Sequence, residues 1–100
     1  MYQSKGINEF YQENYKEKIS IIDVRERDEF AQGHIPKAIN YPLSEIGKNF
    51  IEIDKKTEHY IICHSGNRSA MASEFLSQKG YEVVNVMGGM SAWRGETVSK

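Results

Sequence analysis

Cysteine is nearly missing from this sequence: Cys63 stands alone among 100 residues. No intramolecular disulfide can form, and a metal site built from clustered thiolates is excluded. Proline is almost as scarce, and Pro36 and Pro42 fall close together, marking one loop region and no domain boundary. Charge of one sign is lacking too, with 13 Lys and Arg against 14 Asp and Glu. That balance sets up no field to gather nucleic acid or an anionic membrane surface. No apolar run approaches the ~20 residues that cross a bilayer. The Met-Tyr-Gln-Ser-Lys-Gly start has neither the basic stretch nor the apolar core of a secretory signal. Repeats and low-complexity tracts are absent. We therefore expect a cytoplasmic protein with a reduced thiol, folded as a single domain over residues 1–100. A domain of this length buries about two-thirds of its unfolded surface, enough for one core without staples.

What is present is an alternation of strand and helix signals. Residues 1–4 suit a short edge strand. Asn8 to Lys16 reads as a helix, with Asn8 as its N-cap and Ile7, Phe10, Tyr11 and Tyr15 at helical spacing. Ile19 to Val24 and His59 to Cys63 are nearly continuous apolar runs, as in strands covered on both faces of a parallel sheet. Glu26 to Gln32 reads as a helix with acidic residues in its first turn and Gly33 as its C′ glycine. A short strand over Ala38–Tyr41 and a short helix over Leu43–Phe50 follow. A helix over Ser69–Lys79 ends at Gly80, and a strand covers Glu82–Val86. Gly88-Gly89 makes a tight turn before a last short helix, where Trp93 fills core volume. This order implies right-handed β-α-β units and a mainly parallel sheet covered on both faces. Working sites of such folds lie outside the carboxyl ends of the strands, where Asp23-Val24-Arg25 and Cys63-His64-Ser65 fall.

The informative segment is Cys63-His64-Ser65-Gly66-Asn67-Arg68-Ser69. It runs from a strand end into a helix start, where successive backbone N–H groups and the helix dipole cradle negative charge. Gly66 and Asn67 suit the backbone turns such a cradle needs. The first charge held there is the Cys63 thiolate, a nucleophile at neutral pH. Arg68 adds a fixed cation with a planar fork. Most cysteines are inert core residues, but that role requires neither glycine, arginine and hydroxyl close behind nor a helix start. His64 either tunes the thiolate or is a plain exposed loop residue. Ser65 and Ser69 offer hydroxyl donors, and Ser69 equally suits a cap. Asp23 and Arg25 read as supports behind the cysteine loop or as part of a local salt bridge, Arg25 with Glu29 for example; the salt bridge is the favoured reading. His34 reads as structural.

Four stretches together resemble the rhodanese homology domain, in its order and spacing from about residue 4 to residue 96. They are Ile22-Asp23-Val24-Arg25, Gly33-His34-Ile35-Pro36-Lys37-Ala38-Ile39-Asn40, the Cys63–Ser69 segment, and Gly88-Gly89-Met90-Ser91-Ala92-Trp93. The resemblance implies an α/β fold with an open, central, mostly parallel five-stranded sheet flanked by helices on both faces. It implies that Cys63 is the catalytic residue and that His64, Ser65, Gly66, Asn67, Arg68 and Ser69 form the substrate-binding loop. Cys63 would take a sulfur atom from a small-molecule donor such as thiosulfate. It would pass that sulfur to cyanide, a thiol or a protein acceptor, with no metal or organic cofactor. Two alternatives compete. Cysteine phosphatases and arsenate reductases share the cysteine, cradle and arginine, but the phosphatase loop is one residue longer. A non-catalytic binding module on the same fold would not need Cys63.

Overall fold

The computed structural model of the chain describes residues 2–99. Five strands alternate with helices: β1 (Gln3–Gly6), α1 (Ile7–Lys16), β2 (Ser20–Asp23), α2 (Arg27–Gln32), β3 (Ile39–Asn40), α3 (Leu43–Asn49), β4 (His59–Ile62), α4 (Asn67–Gln78), β5 (Val83–Met87) and α5 (Gly89–Ala92). A 3-10 turn over Phe50–Glu52 follows α3. The strands form one sheet in the order β1-β5-β4-β2-β3, and every neighbouring pair is parallel. No helix among the described residues is long and apolar enough to cross a membrane.

The side-chain alternation of strands splits the core into two layers. Ile22, Val24, Ile61, Cys63 and Val83 face Ala72 and Leu76 of α4 and Ile46 of α3. Ile21, Tyr60, Ile62, Val84 and Val86 face Phe10 of α1, with Phe30 of α2 and Met90 of α5 packed alongside. Both faces of β4 are buried. That explains why its sequence reads as a nearly continuous apolar run.

Several boundaries differ from expectation for local reasons. The first strand lies at Gln3–Gly6; Met1, included in the expected strand, lies outside the described residues. Asn8 does not cap α1. The N-cap is Gly6, which has no side chain to bond with. Gly6 is also the last residue paired to β5, opposite Met87, so the chain passes straight from ladder to helix. Gly33 is extended, with φ 161°, and is not a left-handed C′ glycine. The chain runs directly into His34, whose N–H and C=O both pair with Val98 at 2.8 Å. Helix α4 starts at Asn67, two residues before the expected Ser69, because Gly66 turns the chain with φ 109°. Trp93 is only half-buried at the edge of the α1 layer, its indole N–H donating to Glu96 O at 3.0 Å. Gly80 does end the α4 region, with φ 93°.

Lys37 is the only non-glycine with positive φ among the described residues, at 74°. It follows Pro36 in the turn closed by the Ala38 N–H to Ile35 O bond at 3.0 Å. A turn with proline first and positive φ second is the type that normally takes glycine second. Lys37 is exposed, so its side chain offers no compensating burial. Lys37→Gly is expected to stabilise the fold by roughly 0.5–1 kcal/mol, relief of the left-handed strain exceeding the added flexibility of the unfolded chain. Urea unfolding of the two proteins measures it.

Candidate active site

The site forms where β4 ends. Ile62 O still accepts a ladder bond from Val24 N–H at 2.9 Å. Cys63, the next residue, leaves the ladder with its side chain on the α4 side of the sheet, 1% exposed. The chain then loops through His64, Ser65 and Gly66 into α4. The Gly66 N–H donates to Cys63 Sγ at 3.0 Å. Ser69 Oγ lies 3.3 Å from the same sulfur. The amides of Ser65 and Ser69 also act on it. Burial pushes the thiol up. The Ser69 hydroxyl and the amides of Ser69, Gly66 and Ser65 outweigh that burial, so the Cys63 thiol titrates below its ordinary range.

Two carbonyls of the loop are held on its other side, and the second of them, His64 O, shares its peptide plane with the Ser65 N–H. Cys63 O accepts the Met90 N–H and His64 O accepts the Ser91 N–H, both at 2.8 Å, at the start of α5. This approach is possible only at Gly89, which has φ 56°. A Cβ there would lie 2.4 Å from Cys63 O and 2.6 Å from His64 O. The Gly88-Gly89 pair, expected as a tight turn, therefore also clamps the cysteine loop.

Arg68 projects from the first turn of α4 onto Glu29 of α2. Nη1 donates to Oε1 at 2.7 Å and Nη2 to Oε2 at 2.9 Å. Glu29 Oε1 also accepts the Glu26 N–H at the start of α2, at 3.0 Å. The Arg68 hydrogen bonds, aided by that amide and by the charges of Arg68 and Arg25, hold the Glu29 carboxyl down at about 2 despite partial burial. Glu29 in turn raises the Arg68 guanidinium, and the Cys63 charge acts on it as well. The expected local salt bridge of Arg25 does form, but not with Glu29, the example named for it. Arg25 instead folds back on Asp23. Its Nη2 donates to Oδ2 at 2.8 Å and its Nε to Oδ1 at 3.0 Å. Spacing explains the exchange: Asp23 lies two residues back on the same strand end, while Glu29 points across to the cysteine loop.

The Asp23–Arg25 pair is buried. Arg25 Nη2 also reaches Gly33 O at 2.8 Å, and Asn40 Nδ2 bonds the carbonyls of Asp23 and Arg25, both at 2.9 Å. This group fixes both ends of α2, and through Glu29 it bears on Arg68. Of the loop residues, the structure brings Cys63, Gly66 and Ser69 together around the sulfur. His64, Ser65 and Asn67 carry exposed side chains. Ser69 is fully buried and does not cap α4. Its Oγ also lies 2.6 Å from Asn85 Oδ1 and 3.1 Å from Gly66 O. Sequence reasoning missed Glu29 as the partner of Arg68, and it missed Asn85. The signal for Asn85 was there: one amide inside the valine run Val83-Val84-Asn85-Val86.

Two outcomes test this geometry. Gly89→Ala is expected to push the cysteine loop off α5 and cut iodoacetamide reactivity of Cys63 at neutral pH by ~10-fold or more, since a misplaced cradle no longer holds the thiolate. An unchanged rate would show that the clamp does not matter. Glu29 has a depressed pKa, so its stabilisation is complete above the ordinary carboxylate range near 4.5 and is lost as pH falls towards about 2. About a third of each side chain in this pair is exposed, so the contribution is at most ~1 kcal/mol. Urea melts should find Glu29→Gln less stable than the parent at pH 7, with the gap closing as pH approaches 2.

Comparisons with known proteins agree with this architecture. The chain matches the rhodanese-like domain profile over residues 7–96. It is 43% identical over 84 residues to YtwF of Bacillus subtilis, provisionally named a sulfurtransferase, covering 84% of this chain and 82% of that one. It is 44% identical over 82 residues to YrkF of the same organism, provisionally named a sulfur carrier protein, and covers 81% of this chain but only 44% of that one. Among solved structures, a rhodanese-like domain protein from Staphylococcus aureus superposes with a TM-score of 0.90 at 37% identity, covering 98% of both chains. Fold, loop and profile converge on one assignment: this chain belongs to the family of rhodanese-like domains.

Proposed function

We propose that this domain is a cytoplasmic sulfurtransferase that carries sulfane sulfur as a Cys63 persulfide. The observation that supports this reading most directly is the convergence on Cys63 Sγ of the Gly66 amide at 3.0 Å and the Ser69 hydroxyl at 3.3 Å. The donor is a small molecule such as thiosulfate. The acceptor is a nucleophile, cyanide in a test reaction, or a small or protein-borne thiol in the cell. Relatives named for sulfur transfer and sulfur carriage support the same class of chemistry.

The reaction divides into two displacements. In the first, the Cys63 thiolate attacks the outer sulfur of thiosulfate. A sulfur–sulfur bond forms to Cys63, the bond to the sulfonate sulfur breaks, and sulfite leaves with the electron pair. The persulfide retains one negative charge. In the second, the acceptor attacks the outer sulfur, the persulfide bond breaks, and the thiolate is regenerated. With cyanide the product is thiocyanate. Backbone amides of the Cys63–Arg68 loop hold the anion between the steps, as an oxyanion hole holds its intermediate. In this reading the exposed side chains of His64, Ser65 and Asn67 meet the incoming donor, and Arg68 supplies a fixed positive charge to the loop. Asp23 and Arg25 support the arrangement from behind through α2.

Intact mass after thiosulfate treatment tests the proposal. The protein should gain one sulfur atom, and cyanide should remove it. Cys63→Ser should neither gain the mass nor turn over, a loss of at least ~10³-fold, because the sequence holds no other cysteine to carry the sulfur. Sulfur transfer by the serine variant would rule out Cys63 as the carrier.

A further inference from the structure

Asn85 sits on the interior strand β5, next to the central β4, 5% exposed, between valines on both sides in sequence. It pairs in register with Ile61 and shares the sheet face of Val83, beneath α4. A valine would satisfy that layer as well, and a buried amide without partners costs about 1–3 kcal/mol. Its partner is Ser69 Oγ, at 2.6 Å. Ser69 is fully buried and touches Cys63 Sγ at 3.3 Å and Gly66 O at 3.1 Å. Three polar atoms thus surround a hydroxyl that has one proton.

The proton count makes this trio sensitive to the state of the sulfur. When Cys63 is a thiol, its S–H donates to Ser69 Oγ, and Ser69 donates on to Asn85 Oδ1. When Cys63 is a thiolate, the sulfur can only accept, so Ser69 must turn its proton towards it. Ser69 Oγ and Asn85 Oδ1 then face each other at 2.6 Å as two acceptors with no proton between them. A half-turn of the carboxamide resolves the conflict. Nδ2 takes the place of Oδ1 at almost unchanged volume and donates to Ser69, strengthening the bond from Ser69 to the sulfur. Once Cys63 holds an outer sulfur, the charge moves outward to it; the inner sulfur carries no proton and little charge, so Ser69 is free to donate to Asn85 Oδ1 again.

We propose that Asn85 is a positioning residue whose carboxamide, acting through Ser69, turns end for end as Cys63 passes between its thiol, thiolate and persulfide forms. Asparagine suits this role because its two ends are a donor and an acceptor of the same size; leucine offers neither. The inference takes Cys63 as the nucleophile of the proposed reaction, but it is tested through ionisation of the thiol, without sulfur transfer. The charged groups around the sulfur are Arg68 of α4, Glu29 and Glu26 of α2, and the Asp23–Arg25 pair at the end of β2, with His64 in the loop. None of them is altered by a change at Asn85.

The experiment is the pH dependence of Cys63 alkylation by iodoacetamide in the whole domain. For Asn85→Leu the profile should move to higher pH, lowering the rate below the transition about tenfold, one pKa unit. In a Ser69→Ala background, the same change at Asn85 should move the profile no further. If Asn85 only accepted a bond from Ser69, its removal would free the Ser69 proton for the sulfur and move the profile to lower pH. A shift in that direction, no shift, or an equal shift without Ser69 overturns the proposal. A measurement on the unmodified protein guards against a variant that fails to fold. The Asn85 side-chain amide resonances of ¹⁵N-labelled protein should shift across the Cys63 titration and return towards their thiol positions after persulfidation. Resonances that do not move would overturn the proposal equally.

Discussion

The whole arrangement depends on two hydrogen bonds that involve no side chain. The carbonyls of Cys63 and His64 are held by the Met90 and Ser91 amides at 2.8 Å. A peptide plane that points its oxygen one way points its N–H the other. Fixing His64 O on α5 therefore helps aim the Ser65 amide, in the same peptide plane, inward towards the sulfur. The Gly89 position makes this possible, since its backbone lies closer to both carbonyls than a side chain would permit. A segment more than twenty residues downstream thus bears on whether the Cys63 thiol titrates in its ordinary range or below it.

Burial and ionisation oppose each other at this cysteine. An apolar setting alone would raise the thiol, and Cys63 does belong to the apolar layer beneath α4. The hydrogen bonds outweigh that penalty because they are short, directed and already in place before any substrate arrives. Electrostatics around the loop follows a similar economy. Each arginine near the site has its own carboxylate: Arg25 has Asp23, and Arg68 has Glu29. The first pair is buried, where loss of either partner would strand a charge. The second is about a third exposed, joins α4 to α2, and adds little stability because solvent screens it.

Much of this was legible in the residues. The apolar runs of β2 and β4, the alternation with helices and the carboxyl-end position of the cysteine follow from local patterning. So does the glycine that turns the chain into α4, although the helix starts two residues earlier than periodicity suggested. Helix α1 was found without its correct cap, because the constraint that placed its start is a pairing between Gly6 and Met87, far apart in sequence. The same holds for Arg25 and Glu29. Their spacing looked suitable for a bridge, yet each had a better-placed partner.

The sequence by itself determined the chemistry available: one thiol, followed closely by a glycine, an arginine and a serine, at the junction of a buried strand and a helix. These are local facts, set by residue type and by distances of a few residues. Tertiary structure alone decided how that chemistry is directed. It brought Glu29 from α2 onto Arg68, Asn85 from β5 onto Ser69, and the start of α5 onto the loop carbonyls. Each of those contacts joins segments well separated along the chain. Hydrogen-bond direction depends on the relative placement of whole elements, which local periodicity does not encode.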